Sequence, residues 1–147
     1  MTIKELSALS EAQVKDVLSL MGELNPSIVV TPEMLRQSVA SATSHFFAIM
    51  DENGHIVGCA TLCVYDSPTG RKASVEDVVV SSRYRGQGLG RMLMERVIEY
   101  ARCELGDVEL HLTSSPLRVA ANELYKKLGF EKRETNAYGM RVRRIMI

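Results

Sequence analysis

The sequence predicts an α+β or α/β domain: a mixed, mostly antiparallel central sheet of about six to seven strands with helices on both faces. Three observations predict it. Short apolar runs are separated by turn residues, as at Asp51-Glu52-Asn53-Gly54 and Ser67-Pro68-Thr69-Gly70. Amphipathic stretches with helical spacing and capping residues lie between them. In the middle, the buried-type strand Val78-Val79-Val80 runs through a glycine-rich loop into a helix and on to another strand, a β-α-β crossover.

The elements follow in the order β-α-α-β-β-β-α-β-α-β-β. Ile3 to Leu6 reads as a short first strand. Ser10 is an N-cap for a helix over Glu11 to Met21, with Val14, Val17, Leu18 and Met21 on one stripe. Asn25-Pro26 ends it. Thr31-Pro32-Glu33 opens a second helix that runs to about Ala42, with a capping Thr and Pro at the first helical position. Phe46 to Met50, Ile56 to Tyr65 and Lys72 to Ser81 form a three-stranded meander. A helix is expected from Met92 to Leu105. Val108 to Thr113 alternates as a strand. Pro116 opens a helix to Leu128, stopped by Gly129. Glu131 to Asn136 and Tyr138 to Met146 are expected to close the sheet as a hairpin. No repeat or linker interrupts the chain, so residues 1–147 are expected to form one domain.

Composition narrows the function classes. The 147 residues carry 18 basic and 18 acidic side chains, so formal net charge is zero, which argues against nucleic acid as a partner. Lys132, Arg133, Arg141, Arg143 and Arg144 read as solvated positions on the terminal hairpin. There is no run of 18 apolar residues and no apolar leader, so no membrane association is expected and the chain is placed in the cytoplasm. The three cysteines, Cys59, Cys63 and Cys103, lack C-x-x-C spacing and read as reduced thiols; no metal site is expected.

The segment Arg83-Tyr84-Arg85-Gly86-Gln87-Gly88-Leu89-Gly90-Arg91 carries the functional signal. Glycines let backbone N–H groups approach a ligand, and a helix start adds unpaired donors and a positive dipole end, which together suit phosphate. Arg83, Arg85 and Arg91 add fixed charge. A Walker loop is excluded because no Lys-Ser/Thr end follows. A G-x-G-x-x-G dinucleotide pattern is excluded because position 91 is Arg.

R-x-x-G-x-G remains, met by Arg85, Gly88 and Gly90. It resembles the acetyl-CoA pyrophosphate motif of the GNAT (Gcn5-related) N-acetyltransferase superfamily. Glu76-Asp77-Val78-Val79-Val80 before it, and Ala121-Asn122-Glu123-Leu124-Tyr125-Lys126-Lys127-Leu128-Gly129-Phe130 after it, extend the resemblance over residues 73 to 131. The glycine motif is also similar to that of glucosamine-6-phosphate N-acetyltransferases, from which Ser114-Ser115-Pro116-Leu117-Arg118 departs.

The resemblance implies an acetyl-CoA-dependent N-acetyltransferase in which a primary amine of a small molecule attacks the thioester directly in a ternary complex. It implies acetyl-CoA as cosubstrate, held by Arg85, Gly86, Gln87, Gly88, Leu89, Gly90 and Arg91 and by the backbone of Val78, Val79 and Val80, with Asn122 and Tyr125 also contacting it. The Val78 N–H would donate to the thioester carbonyl, beside a bulge and a splay between strands. Glu76 is favoured as the general base; it and Asp77 are expected on opposite strand faces, so only one points at substrate. His111 is a further candidate base. Tyr125 would protonate the leaving thiolate. Arg118 stands where the family often has Asn. The acceptor pocket is expected from the two N-terminal helices, the Met21 to Thr31 loop and the last hairpin. A protein-amine acetyltransferase and, from another class, a non-catalytic acyl-CoA-binding module are the alternatives. A homodimer is common in the family.

Overall fold

The computed structural model describes residues 1–146. The chain divides into two compact units, one over Met1–Ser114 and one from Ser115 onward. The first holds a five-stranded sheet in the order β1-β2-β3-β4-β5, formed by β1 (Thr2–Leu6), β2 (Ser44–Met50), β3 (Ile56–Ser67), β4 (Gly70–Val80) and β5 (Glu109–His111). The pairs β1–β2, β2–β3 and β3–β4 are antiparallel; β4–β5 is parallel.

Two helices cover one face. α1 (Glu11–Leu24) starts on a capping box: the Ser10 hydroxyl accepts from the Gln13 N–H at 3.1 Å and the Ser10 N–H donates to Gln13 Oε1 at 3.0 Å. α2 (Pro32–Ala40) starts on Thr31, whose Oγ1 accepts from the Met34 N–H at 3.1 Å. Val14, Val17, Leu20, Leu35 and Val39 bury against Phe46, Ala48, Cys59 and Val79. The opposite face packs on α3 (Leu89–Tyr100), through Leu93, Met94 and Val97. There Phe47 meets the Tyr100 ring edge-on at 5.4 Å and lies under the Arg96 guanidinium at 5.3 Å. Burial on both faces explains why β2 reads as a continuous apolar run, Phe46 to Met50.

The second unit carries α4 (Val119–Lys127). Among the described residues the expected strands over Glu131 to Asn136 and Tyr138 to Met146 do not form, and the sheet has five strands rather than six or seven. Tyr138, Met140, Val142 and Met146 fall on one face of the strand period, yet each is more than three-quarters exposed. A two-stranded hairpin is marginal on its own in water, and alternation alone cannot hold one. Two helix starts also shift. α3 begins at Leu89 rather than Met92, because Gly88 in left-handed backbone (φ 77°) lets the chain turn directly into the helix, and its last turn, Ala101–Leu105, widens to a π-helix. α4 begins at Val119 rather than Pro116: Ser115 forms a turn in which its carbonyl accepts from Arg118 N–H at 3.0 Å.

Candidate active site

β4 is the organising element. β5 meets it only at Lys72, Ala73 and Ser74, in register with Glu109, Leu110 and His111. From Val75 to Val80, β4 therefore has a sheet partner on the β3 side alone. On that side the register slips: Cys59 opposes Val79, but Thr61 opposes Glu76, so Asp77 and Val78 together face Ala60. This is a β-bulge, and its first residue, Asp77, sits at φ 52°, in left-handed backbone that Asp tolerates better than most residues. Bulge and splay coincide on the strand where the sequence placed Glu76 and Val78.

The bulge corrects one expectation. Glu76 and Asp77 are not on opposite faces. Register partners point to the same side of a sheet, so Glu76 shares the face of Thr61. Asp77 lines a cavity together with Thr61 and Cys59. Without the extra residue, strict alternation would have separated the two carboxylates. The Ser74 hydroxyl, two residues away, donates to Glu76 Oε1.

That cavity lies between the helix α1–α2 corner and the sheet, with a volume of about 240 Å³. Its wall includes Met21, Leu24, Ile28, Met34, Leu35 and Phe46, with Asp77 as its one charged side chain. Partial burial, then the neighbouring Glu76 charge, raises the Asp77 carboxyl above the usual carboxylate range. Burial and then Asp77 push the Cys59 thiol up to about 12. Thr61 was not singled out by sequence, and Cys59 was read only as a reduced thiol, since each occupies an ordinary strand position; the apolar pair Ile28-Val29 in the loop between the helices was the available signal.

The glycine loop follows β4. A single 3₁₀ turn, Ser82–Tyr84, leads to Gly86 (φ 79°) and Gly88 (φ 77°), both in left-handed backbone. Gly88 is the N-cap of α3 and supplies no side-chain cap, which leaves the first amides of α3, at Leu89, Gly90 and Arg91, without intrahelical acceptors. Arg85 is anchored from two directions: its Nε donates to the Val80 carbonyl at 3.1 Å, and its guanidinium lies 3.7 Å from Glu23 of α1. Glu23 also accepts from the Ser82 N–H at 2.9 Å, tying α1 to the loop. Arg91 pairs with Glu95 one turn along α3, at 2.6 Å. Gln87 sits in the exposed loop between the two left-handed glycines. His111 pairs with Glu109 at 2.6 Å.

In the second unit, Tyr125 is the buried residue of α4. Desolvation raises its hydroxyl above the usual phenol value, with Arg118 opposing. Its ring meets Phe130 edge-on at 6.1 Å, and its carbonyl accepts from the Phe130 N–H at 3.0 Å past the left-handed Gly129. The Asn122 amide donates to the Ser115 carbonyl at 3.0 Å, and Arg118 stands at the N-cap position without capping the helix.

The bulged, splayed β4 and the uncapped glycine start of α3 can be compared with known proteins. The sequence model of the Acetyltransferase (GNAT) family matches residues 16–130. The chain belongs to the GNAT acetyltransferase family. Among its relatives, N-acetyltransferase 8F1 of Rattus norvegicus is 34% identical over 106 residues, 67% of this chain and 48% of the relative. This GNAT chain thus spans about half the length of the curated relatives it matches. A putative acetyltransferase from Agrobacterium tumefaciens superposes with a TM-score of 0.76 at 25% identity, over 98% of this chain and 100% of that one. The glucosamine-6-phosphate N-acetyltransferase of Arabidopsis thaliana shares the fold, with a TM-score of 0.73 at 22% identity over 95% and 99% of the two chains. Among the described residues of this GNAT domain no helix is long and apolar enough to cross a membrane, and no cluster of metal-ligating side chains occurs.

Proposed function

We propose that this GNAT domain is an acetyl-CoA-dependent N-acetyltransferase that moves an acetyl group to a primary amine of a small molecule by direct attack in a ternary complex. The observation that carries the reading is the coincidence on β4 of an unpaired edge, a bulge and two carboxylates, followed through the glycine loop by a helix start with free amides. The site fits the cosubstrate chemically. Backbone N–H groups from Gly86 to Arg91, with Arg85 held in place by Val80 and Glu23, suit a pyrophosphate. The open edge at Val78, Val79 and Val80 suits the amides of a pantetheine arm. Acetyl-CoA, when bound, supplies the activated acyl group.

The chain's own residues then have four tasks. The Val78 N–H donates to the thioester carbonyl oxygen. The acceptor's ammonium, with an ordinary pKa near ~10.4, must lose a proton to become a nucleophile. Glu76, exposed and steadied by Ser74, takes that proton directly or through a water. Tyr125, whose hydroxyl is raised by desolvation, is the acid that the motif resemblance implies for the leaving thiolate, and Asn122 the side chain it implies for holding the cosubstrate. The acceptor enters the cavity under the α1–α2 corner. A cytoplasmic enzyme and a homodimer complete the reading, the latter carried by the alternating exposed Tyr138, Met140 and Val142.

Thiol release from acetyl-CoA with a panel of primary amines, each product identified by mass, tests this function. Acetyl-CoA binding without release, whatever the amine, would favour a non-catalytic acyl-CoA-binding module.

A further inference from the structure

The cavity has a chemical character that the acetyl-transfer reading leaves open. Its wall is dominated by apolar side chains from three elements: Met21 and Leu24 of α1, Ile28 of the connecting loop, Met34 and Leu35 of α2, and Phe46 of β2. No lysine, arginine or histidine lines it, and Asp77 is its one carboxylate. Its other polar groups are few. Thr61 is 9% exposed and lines the same wall. Ile28 and Met34 are 58% and 50% exposed although both line the cavity, so the mouth is itself apolar.

We propose, resting on the acetyltransferase reading, that this cavity takes a primary amine whose remainder is apolar and uncharged, an arylalkyl or alkyl amine, with the ammonium against Asp77 and Thr61. Asp77 here recognises the ammonium, while Glu76 accepts the proton. An anionic amino sugar phosphate finds no cation on this wall. A polyamine or a lysine-rich peptide brings further positive charges, and only one carboxylate is there to meet them. The volume suits the class. An apolar cavity of about 150 Å³ admits a benzene molecule, and about 240 Å³ leaves room for a short alkyl arm carrying the nitrogen. The placement also favours chemistry: Asp77 is the bulge residue, adjoining the Val78 amide that faces the thioester in the proposed mechanism.

The test measures amine binding by calorimetry, with and without coenzyme A, and thiol release from acetyl-CoA in parallel. The probes are n-butylamine, n-hexylamine, 2-phenylethylamine, glucosamine 6-phosphate and spermidine. Affinity and kcat/KM should rise about fourfold per added methylene along the alkyl series, and 2-phenylethylamine should exceed glucosamine 6-phosphate and spermidine. Asp77→Asn should raise KM for 2-phenylethylamine at least tenfold with a smaller change in kcat. Met34→Lys, at an exposed position that tolerates the change in folding, should weaken the apolar amines and not glucosamine 6-phosphate. A flat alkyl series, or glucosamine 6-phosphate or spermidine as the best-bound probe, overturns the substrate class while leaving acetyl transfer intact. Amine binding that follows the expected order without any thiol release would instead overturn the acetyltransferase reading and leave the cavity's selectivity standing.

Discussion

Cys59 and Asp77 share one wall of the cavity, and the thiol is pushed up to about 12, first by its burial and then by the Asp77 charge. A thiol held there stays protonated at neutral pH and is a poor nucleophile. The one cysteine beside the proposed reaction centre is thereby kept out of the chemistry. Protein incubated with acetyl-CoA and no amine should show no mass increase at Cys59, and Cys59→Ala should keep kcat within a few-fold of the parent. An acetylated Cys59 peptide would replace direct transfer with a covalent intermediate.

Asp77 should make stability depend on pH. Its folded-state value lies above the ordinary carboxyl value, so the fold favours its protonated form. The favourable contribution is fully present below the ordinary value and is lost as pH rises through the folded one. Asp77→Asn removes the charge and keeps a residue that tolerates positive φ. Thermal melts should show the variant more stable than the parent at pH 7.5, with the advantage shrinking as pH falls toward about 4. An advantage that grows on acidification would show that Asp77 is stabilised as a carboxylate.

Gly88 tests the loop. A Cβ there would meet nothing within 4 Å, so Gly88→Ala acts through the backbone alone, at φ 77°. The cost should be about 1–2 kcal/mol, read as a lower melting temperature, with weaker acetyl-CoA binding as the first turn of α3 shifts. Gly88→Asn should recover part of both. Unchanged binding in Gly88→Ala would separate the loop geometry from cosubstrate affinity.

The parts of this fold legible in the sequence are those whose causes are local. Ser10 with Gln13, and Thr31 with Pro32, mark helix starts because the cap is made by neighbours in sequence. The glycine loop and its place before α3 were readable for the same reason, down to Arg85, Gly88 and Gly90. The bulge at Asp77 was implied by resemblance, but its effect on facing was not readable: Glu76-Asp77-Val78 alternates like any strand, and only pairing with Ala60 and Thr61 reveals the extra residue. The final hairpin misled because Tyr138, Met140 and Val142 carry the strand period without a surface to bury them. The helical side of the cavity, from α1, α2 and the loop between them, was expected from the sequence; its sheet side, Phe46, Cys59, Thr61 and Asp77, depends on side chains of β2, β3 and β4 meeting in space, which no local pattern encodes.

Glu76→Gln is the most direct test of the account. Acetyl-CoA affinity by calorimetry and turnover by thiol release should be measured on the same preparation, with the best amine of the panel. The account predicts a dissociation constant close to the parent's and a kcat lowered by about 10²–10⁴. Collapse of acetyl-CoA affinity with turnover per bound cosubstrate unchanged, or full activity in the variant, would contradict it.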